Sequence, residues 1–344
     1  MEMHEIRPEI SQALLTNPGI GFIAAPELMN AEPNALRDSR GQIVAPYKFT
    51  PDSRTWNHPD SGVLFCSCRW KDIEPLQGTY DWRCLEEKLD AAAALGCTCI
   101  VRISPYALSA QEDIPTWLRM RYPEEPEFPF WRIDPNTTEY PRLWAALIRN
   151  FAARYDGDPR ITSVDMAIVG AWGEGGGTEN MEENAMKTVI AAYMEGFPHT
   201  PLTALLHDPK SLACIRAFPK QVGFRVDCLG DMGGFHGDRW SHMLDFYPEN
   251  IQNFQMGDAW QEAPVVFEAC WHMNDWYLQG WDIDYIIDES LKWHISSYNS
   301  KGTTVPEAWK DSVTRWVRRM GYRFELHLAR WQARGTAGKP WRWE

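Results

Sequence analysis

The chain has 344 residues, of which 44% are hydrophobic, and it carries a formal net charge of -13. A chain of this length buries about three quarters of its unfolded surface, so a large core is available. The negative charge excludes nucleic acid and anionic membranes as partners, because both attract basic surfaces. The sequence contains no apolar run of about 18 residues, so it predicts no membrane-spanning helix.

The start of the sequence, MEMHEIRPEISQ, has neither the basic nor the apolar segment of a secretory signal. The eight cysteines do not follow the pattern of a small disulfide-rich domain. Both features predict a cytoplasmic protein in a reducing compartment. The 18 tryptophans favour a carbohydrate partner, since flat sugar faces stack on indole rings. No cofactor is predicted, and a homo-oligomer stays open.

Short apolar segments alternate with helical segments along the chain. The predicted strands are 19–23, 62–70, 97–104, 161–172, 201–208, 222–231, 263–271 and 293–299. The predicted helices are 85–95, 140–155, 182–195 and 306–320. This α/β alternation with eight strands predicts a (β/α)8 TIM barrel over residues 1–320. Residues 321–344 are predicted to form a C-terminal strand extension or the stub of a β-sandwich domain.

Polar residues stand where the predicted strands end, which is where barrel enzymes carry their active groups. They are Arg69, Arg102, Glu174, His207, Asp227, Glu268 and Asn299. Glu174 and Glu268 follow strands four and seven. Those strands lie across the barrel mouth from each other, so the two carboxyl groups can converge.

Two converging carboxyl groups suit glycoside hydrolysis, in which one protonates the leaving oxygen and the other attacks or activates water. Glu268 ends the apolar run PVVFE, and an arginine beside it would keep it ionised, as a nucleophile requires. Glu174 lies in a glycine-rich loop beside Trp172. An apolar ring raises the pKa of a carboxyl group, which suits a general acid.

The other candidates are substrate-binding residues around this pair. Arg69 and Arg102 either contact the sugar or close structural ion pairs, and His207 and Asp227 either bind sugar hydroxyls or have structural roles. Trp172 stands beside Glu174, and Trp271, His272 and Trp276 follow Glu268. Tyr298 and Asn299 end the eighth predicted strand.

Three segments resemble the clan A glycoside hydrolases, the β-galactosidase-like barrels. They are RWKDIEPLQGTYDW (69–82), DPRITSVDMAIVGAWGE (158–174) and PVVFE (264–268). The forms WGEG and GYRFEL (321–326) resemble a bacterial branch of largely unknown function. The resemblance implies a retaining mechanism with Glu174 as acid/base, Glu268 as nucleophile and Arg69 as its partner, and a galactoside substrate.

The sequence departs from the clan at two positions. The clan carries asparagine directly before the acid/base, where it binds the sugar 2-hydroxyl, and this chain has Gly173. An aromatic hydroxyl is expected near strand six, and Asp227 stands there.

Alternative functions remain. A catalytically silent barrel that binds glycans is one, and a metal-dependent hydrolase is another. The latter commonly uses an HxH pair on strand one, whereas His4 and His58 are solitary.

Two cysteine pairs raise a zinc hypothesis: Cys66 with Cys68, and Cys97 with Cys99. Residues two apart on a strand share a face. If Arg69 and Arg102 point into the barrel, all four thiols point outward and pack under the helices. We therefore predict no metal.

Overall fold

The computed structural model describes residues 3–24, 35–37, 43–46, 55–57, 62–105, 114–122, 133–170, 173–233, 240–301 and 304–332. Eight parallel strands close into a barrel in chain order, and the eighth pairs with the first. They are β1 (Gly21–Ala24), β2 (Val63–Arg69), β3 (Thr98–Ser104), β4 (Ile161–Asp165), β5 (Leu202–Leu205), β6 (Gly223–Leu229), β7 (Val265–Ala269) and β8 (Ser297–Asn299). The predicted (β/α)8 barrel is confirmed.

The barrel is surrounded by helices. They are α1 (Trp70–Ile73), α2 (Arg83–Ala94), α3 (Thr116–Arg119), α4 (Glu139–Tyr155), α5 (Glu183–Gly196), α6 (Pro209–Ile215), α7 (Tyr247–Asn253), α8 (Met273–Leu278), α9 (Ile283–Lys292) and α10 (Lys310–Arg319). The four predicted helices correspond to α2, α4, α5 and α10. On α4 the side chains of Tyr140, Trp144, Leu147 and Phe151 are buried, three or four residues apart, as expected for a helix face against a core.

Side chains on the strands alternate between the barrel interior and the outer layer under the helices. On β2, Val63 and Phe65 belong to the interior cluster, whereas Cys66 and Cys68 belong to the outer core. Cys97 and Cys99 also lie in the outer core. The thiols therefore pack as small apolar groups, in the orientation that strand parity predicts.

The barrel interior is apolar near the N-terminal ends of the strands and charged near their C-terminal ends. Ile23, Val63, Ile100 and Val266 are buried together near the start of their strands. Arg102 and Glu268 stand two residues further along β3 and β7. Charged groups therefore lie between this apolar plug and the C-terminal mouth of the barrel. The plug closes the lower end of the barrel and leaves the site at its C-terminal mouth.

Much of the tryptophan content serves packing. Trp70, Trp144, Trp276 and Trp316 are fully buried in the outer core. Trp240, Trp260 and Trp271 are exposed. The tryptophan count by itself is thus a weaker sign of sugar binding than the sequence suggested.

Within the ranges that the structure describes, three short antiparallel pairs accompany the barrel. One joins Met3–Ile6 to Ala329–Gln332, so strands near the two ends of the described chain pair with each other. The others join Thr55–Asn57 to Thr304–Pro306 and Ala35–Arg37 to Ile43–Pro46. Among the described residues, no helix has the length and apolar character to cross a membrane.

Candidate active site

Glu268 is held by two neighbours on the eighth-strand side of the barrel. The register of β7 and β8 sets Asn299 beside it, and the Asn299 side-chain amide donates to Glu268 Oε2 at 2.9 Å. Lys301 Nζ lies 2.8 Å from the other oxygen, Oε1. Burial lowers the pKa of Lys301, but the charge of Glu268 outweighs it and raises that pKa above its ordinary value. The Lys301 ammonium and the Asn299 amide together contact both oxygens of the Glu268 carboxyl group.

The cation at Glu268 differs from the predicted one. Arg69 is exposed and forms its ion pair with Asp72, Nε to Oδ2 at 2.8 Å. Its expected partnership with Glu268 is therefore corrected to Lys301. The reason is position: β2 is remote from β7 in the barrel order, whereas Lys301 follows the adjacent strand. An arginine also influences the site, because Arg225 lies within electrostatic range of Glu268.

Glu174 reaches the mouth on a loop after β4. The strand was predicted to continue to residue 172, but pairing ends at Asp165. Beyond it, helix side chains capture the backbone: Tyr140 Oη and Trp144 Nε1 donate to the carbonyls of Ile168 and Ala167, at 2.5 and 3.0 Å. These contacts turn the chain away from the sheet and toward Glu174.

The pKa of Glu174 is raised to about 7. The largest cause is burial of the carboxyl group among protein atoms, followed by the negative charges of Asp227 and Glu268. The residue nevertheless keeps exposed surface at the barrel mouth, so a ligand can reach it. Trp172, which was expected to produce this shift, lies outside the described residues.

Gly173 has a specific conformational role beside Glu174. Its φ is +74°, and a Cβ placed on it would lie 2.8 Å from Arg102 Nε. A side chain at this position would push on the Arg102 guanidinium. This packing gives a physical reason for glycine where the resembling family has asparagine.

A network of buried charges lies beneath the two glutamates. Arg102 Nε donates to Asp165 at 2.8 Å, and Arg225 Nε lies 3.1 Å from the same carboxylate. Arg225 also pairs with Asp227, and it donates to the Gly173 carbonyl at 2.5 Å. Burial would raise the pKa of Asp227, but Arg225 holds it below its ordinary value. The network lies in the barrel interior beneath the mouth, and the bond from Arg225 to the Gly173 carbonyl connects it to the loop that carries Glu174.

His207 borders this network on the side of β6. Its Nδ1 lies 3.9 Å from Asp227, and its ring stacks on Phe246 with centroids 4.5 Å apart. Burial lowers the pKa of His207 to about 4, so the ring is neutral near pH 7. Phe246 also contacts the exposed ring of Trp240, which extends the aromatic surface toward solvent.

The structure separates the remaining candidates. Trp271 is exposed beyond β7, as a ligand-stacking ring would need. Trp276 and Tyr298 are fully buried in the outer core, so their predicted contact with substrate is corrected. Tyr298 follows strand parity: it is one residue before Asn299, which faces the mouth, so it faces the helices.

His272 also has a structural contact. Its backbone N–H donates to Asp275 at 3.0 Å, and its Nδ1 lies 3.4 Å from the same carboxylate at the start of α8. This arrangement caps a helix, which differs from the predicted substrate contact.

Sequence reasoning missed three charged residues of the site: Lys301, Arg225 and Asp165. Arg225 precedes Asp227 by two residues on the same strand, so parity alone could have placed it in the interior. Lys301 lies beyond the end of β8, and no periodicity marks it. Among the described residues, no group of three histidine, cysteine, aspartate or glutamate side chains is placed to hold a metal ion.

The fold is a closed (β/α)8 barrel, and the side chains of Glu174 and Glu268 lie at its C-terminal mouth. The family model described as Beta-galactosidase, of glycoside hydrolase family 42, matches residues 61–166. This match covers less than half of the chain and supports the resemblance to the clan A glycoside hydrolases. The matched segment ends before both glutamates.

Several solved structures are similar to this chain, and one of them has a TM-score above 0.5. The catalytic domain of β-amylase from Paenibacillus polymyxa is similar with a TM-score of 0.53 and 10% identity, over 74% of this chain and 90% of that one. Endo-glycoceramidase II from Rhodococcus sp. has a TM-score of 0.44 and 12% identity, over 70% of this chain and 65% of that one. An exo-β-1,4-mannosidase from Opitutaceae bacterium strain TAV5 has a TM-score of 0.46 and 13% identity, over 76% of this chain and 49% of that one. Comparison with curated proteins gives no match.

Proposed function

We propose that the protein is a retaining β-glycosidase in which Glu268 is the nucleophile and Glu174 the acid/base. The observation that carries the proposal is the unequal environment of the two carboxyl groups. Lys301 and Asn299 contact the two oxygens of Glu268, while burial and neighbouring acids raise the pKa of Glu174 to about 7. Glycosidase chemistry requires this difference between its two acids.

The charge balance of the site supports the same assignment. The connected groups comprise three cations and four carboxyl groups, which are Arg102, Arg225, Lys301, Asp165, Asp227, Glu174 and Glu268. With Glu174 protonated, the charges cancel. One carboxyl group in a crowded mouth is thereby available as an acid at neutral pH.

In the proposed reaction, Glu268 attacks the anomeric carbon while Glu174 donates its proton to the leaving oxygen. A covalent glycosyl-enzyme forms and the aglycone departs. Glu174, now ionised, takes a proton from water, which attacks the anomeric carbon and releases Glu268. The product keeps the β configuration because the carbon is inverted twice.

The proposed substrate is a β-galactoside carried on an oligosaccharide or glycoconjugate. The description of the matching family model supports it. The exposed rings of Trp240 and Trp271, on loops after β6 and β7, supply surfaces on which a sugar can stack. A panel of aryl β-glycosides that differ only in the sugar tests this choice, and we expect the galactoside to have the highest kcat/KM.

Substitution of each glutamate tests the roles. Glu268→Ala should reduce kcat by roughly 10⁴-fold or more, and added azide should not restore formation of a β-configured product. Glu174→Ala should reduce turnover by about 10²–10⁴-fold, least for substrates with good leaving groups, and added azide should restore turnover as a β-glycosyl azide.

Glu179→Ala is the matched control, because Glu179 is an exposed acid on the same loop. It should retain wild-type kinetics. Full activity in Glu174→Ala, or equal losses in Glu174→Ala and Glu179→Ala, would contradict the assignment. Oligosaccharide binding without hydrolysis of any panel member would favour the silent glycan-binding barrel instead.

A further inference from the structure

Two cysteines face each other across the ends of β6 and β7. Cys228 Sγ and Cys270 Sγ lie 2.6 Å apart, although the residues are 42 positions apart in the chain. A disulfide bond measures about 2.05 Å, so the thiols are close to bonding distance. Neither residue enters the proposed glycosidase chemistry.

The backbone directs Cys228 toward its partner. A β-bulge interrupts the β6–β7 register between Val226 and Leu229, and Cys228 within it has a φ of +65°. Val226 and Leu229 both lie in the outer core although they are three residues apart. The bulge therefore shifts the alternation by one residue and leaves Cys228 outside that core.

Cys270 is fixed on the other strand by two hydrogen bonds. Its N–H donates to the Leu229 carbonyl at 2.9 Å, and its own carbonyl accepts from Trp276 Nε1 at 2.6 Å. Because the backbone on both sides is anchored, the proximity of the sulfurs is built into the fold.

The two thiols are not equivalent. Cys270 is 3% exposed and its S–H donates to Cys228 Sγ, whereas Cys228 is half-buried. This hydrogen bond, and then burial, raise the pKa of Cys270. Because Cys228 keeps exposed surface and Cys270 is buried, Cys228 is the sulfur that an external reagent reaches first.

We propose that Cys228 and Cys270 are a disulfide-forming site that cross-links β6 to β7 beside Asp227 and Glu268. With a small dialkyl disulfide such as oxidised glutathione as oxidant, the Cys228 thiolate attacks one glutathione sulfur and expels the other as a thiolate. The Cys270 sulfur gives up its proton, attacks Cys228 Sγ and expels the second glutathione. Two protein thiols are oxidised, one glutathione disulfide is reduced to two thiols, and the two protons pass to them.

The test uses the full chain in a Cys84→Ser background. That substitution removes a second close pair, Cys68 and Cys84, whose sulfurs are 2.8 Å apart between β2 and α2. After incubation of the reduced protein with oxidised glutathione, intact mass and peptide mapping should show the loss of two hydrogens and a link between the peptides of Cys228 and Cys270. Dithiothreitol should reverse the change.

Single variants in this background check the order of attack. Cys270→Ser should accumulate a glutathione adduct on Cys228, and Cys228→Ser should leave Cys270 unmodified. The cross-linked protein should also melt at a higher temperature than the reduced one, since the bond constrains the unfolded chain. Two free thiols at these positions after oxidation, or links from either to another cysteine, would overturn the proposal.

Discussion

Glu174 and Glu268 differ in the side chains that surround their carboxyl groups. Lys301 and Asn299 each contact one oxygen of Glu268, at 2.8 and 2.9 Å. Burial and then the negative charges of Asp227 and Glu268 raise the pKa of Glu174, and the positive charges of Arg225 and Lys301 offset only part of this effect. These contacts predict how activity depends on pH and how the removal of Lys301 affects stability.

The pKa of about 7 at Glu174 predicts an alkaline limit to activity. The acid must be protonated to act, and its protonated fraction falls as the pH rises above that pKa. For a substrate with a poor leaving group, kcat/KM should decline by about tenfold per pH unit above roughly pH 7.

An aryl glycoside with a strongly activated leaving group is the control, because its departure needs no proton. Its kcat/KM should stay nearly constant over the same range. An equally steep decline for both substrates would mean that another group is titrating.

Lys301 tests the stabilisation of Glu268. Lys301→Met leaves a largely buried carboxylate without its cation, so the free energy of unfolding at pH 7 should fall by about 3 kcal/mol. Chemical denaturation measures this change in the free energy of unfolding.

Lys292→Met is the matched control, since Lys292 is exposed and pairs with Glu289 one helical turn away. Lys292→Met should lower the free energy of unfolding by less than about 1 kcal/mol. Similar losses for the two variants would show that Lys301 is an ordinary surface charge.

At the level of elements, the site depends on places where the strands depart from regular pairing. β4 ends early because Tyr140 and Trp144 capture the next carbonyls, and β6 carries the bulge that follows Asp227. Strand number, strand order and the outward direction of the cysteines followed from sequence periodicity and parity. The early end of β4 and the bulge did not, because tertiary hydrogen bonds decide them.

Gly230, directly after β6, tests this packing. Its φ is +91°, and a Cβ on it would lie 2.2 Å from the buried Trp276 ring. Gly230→Ala should lower the free energy of unfolding by about 3 kcal/mol or more, through backbone strain and a clash with a ring that cannot move. Guanidinium denaturation measures it.

Gly78→Ala is the control, because Gly78 has a φ of +75° but open space at the Cβ position. Only backbone strain applies at Gly78, so Gly78→Ala should lower the free energy of unfolding by about 1 kcal/mol. Equal effects at the two positions would show that the Trp276 contact does not constrain Gly230.

Over the whole molecule, the barrel brings together groups that are far apart in sequence. Glu174, Asp227, Glu268 and Lys301 come from four different strand ends, and the sequence pointed to three of them as strand-end residues. Lys301 was missed because it follows β8 in an irregular segment. Trp276 was misplaced because it packs into the outer core from α8, which a strand-end argument does not consider. Tyr298 was misplaced because strand parity, which directs it away from the mouth, was not applied to it.

The central claim is tested most directly by covalent trapping. The protein would be incubated with an activated 2-deoxy-2-fluoro-β-galactoside, which slows release of a glycosyl-enzyme, and the labelled peptide identified by mass spectrometry. We expect one fluorosugar per chain, bound to Glu268, and no label in Glu268→Ala. A galactoside that is hydrolysed without any covalent label and with inversion at the anomeric carbon, or a label on another residue, would contradict the account.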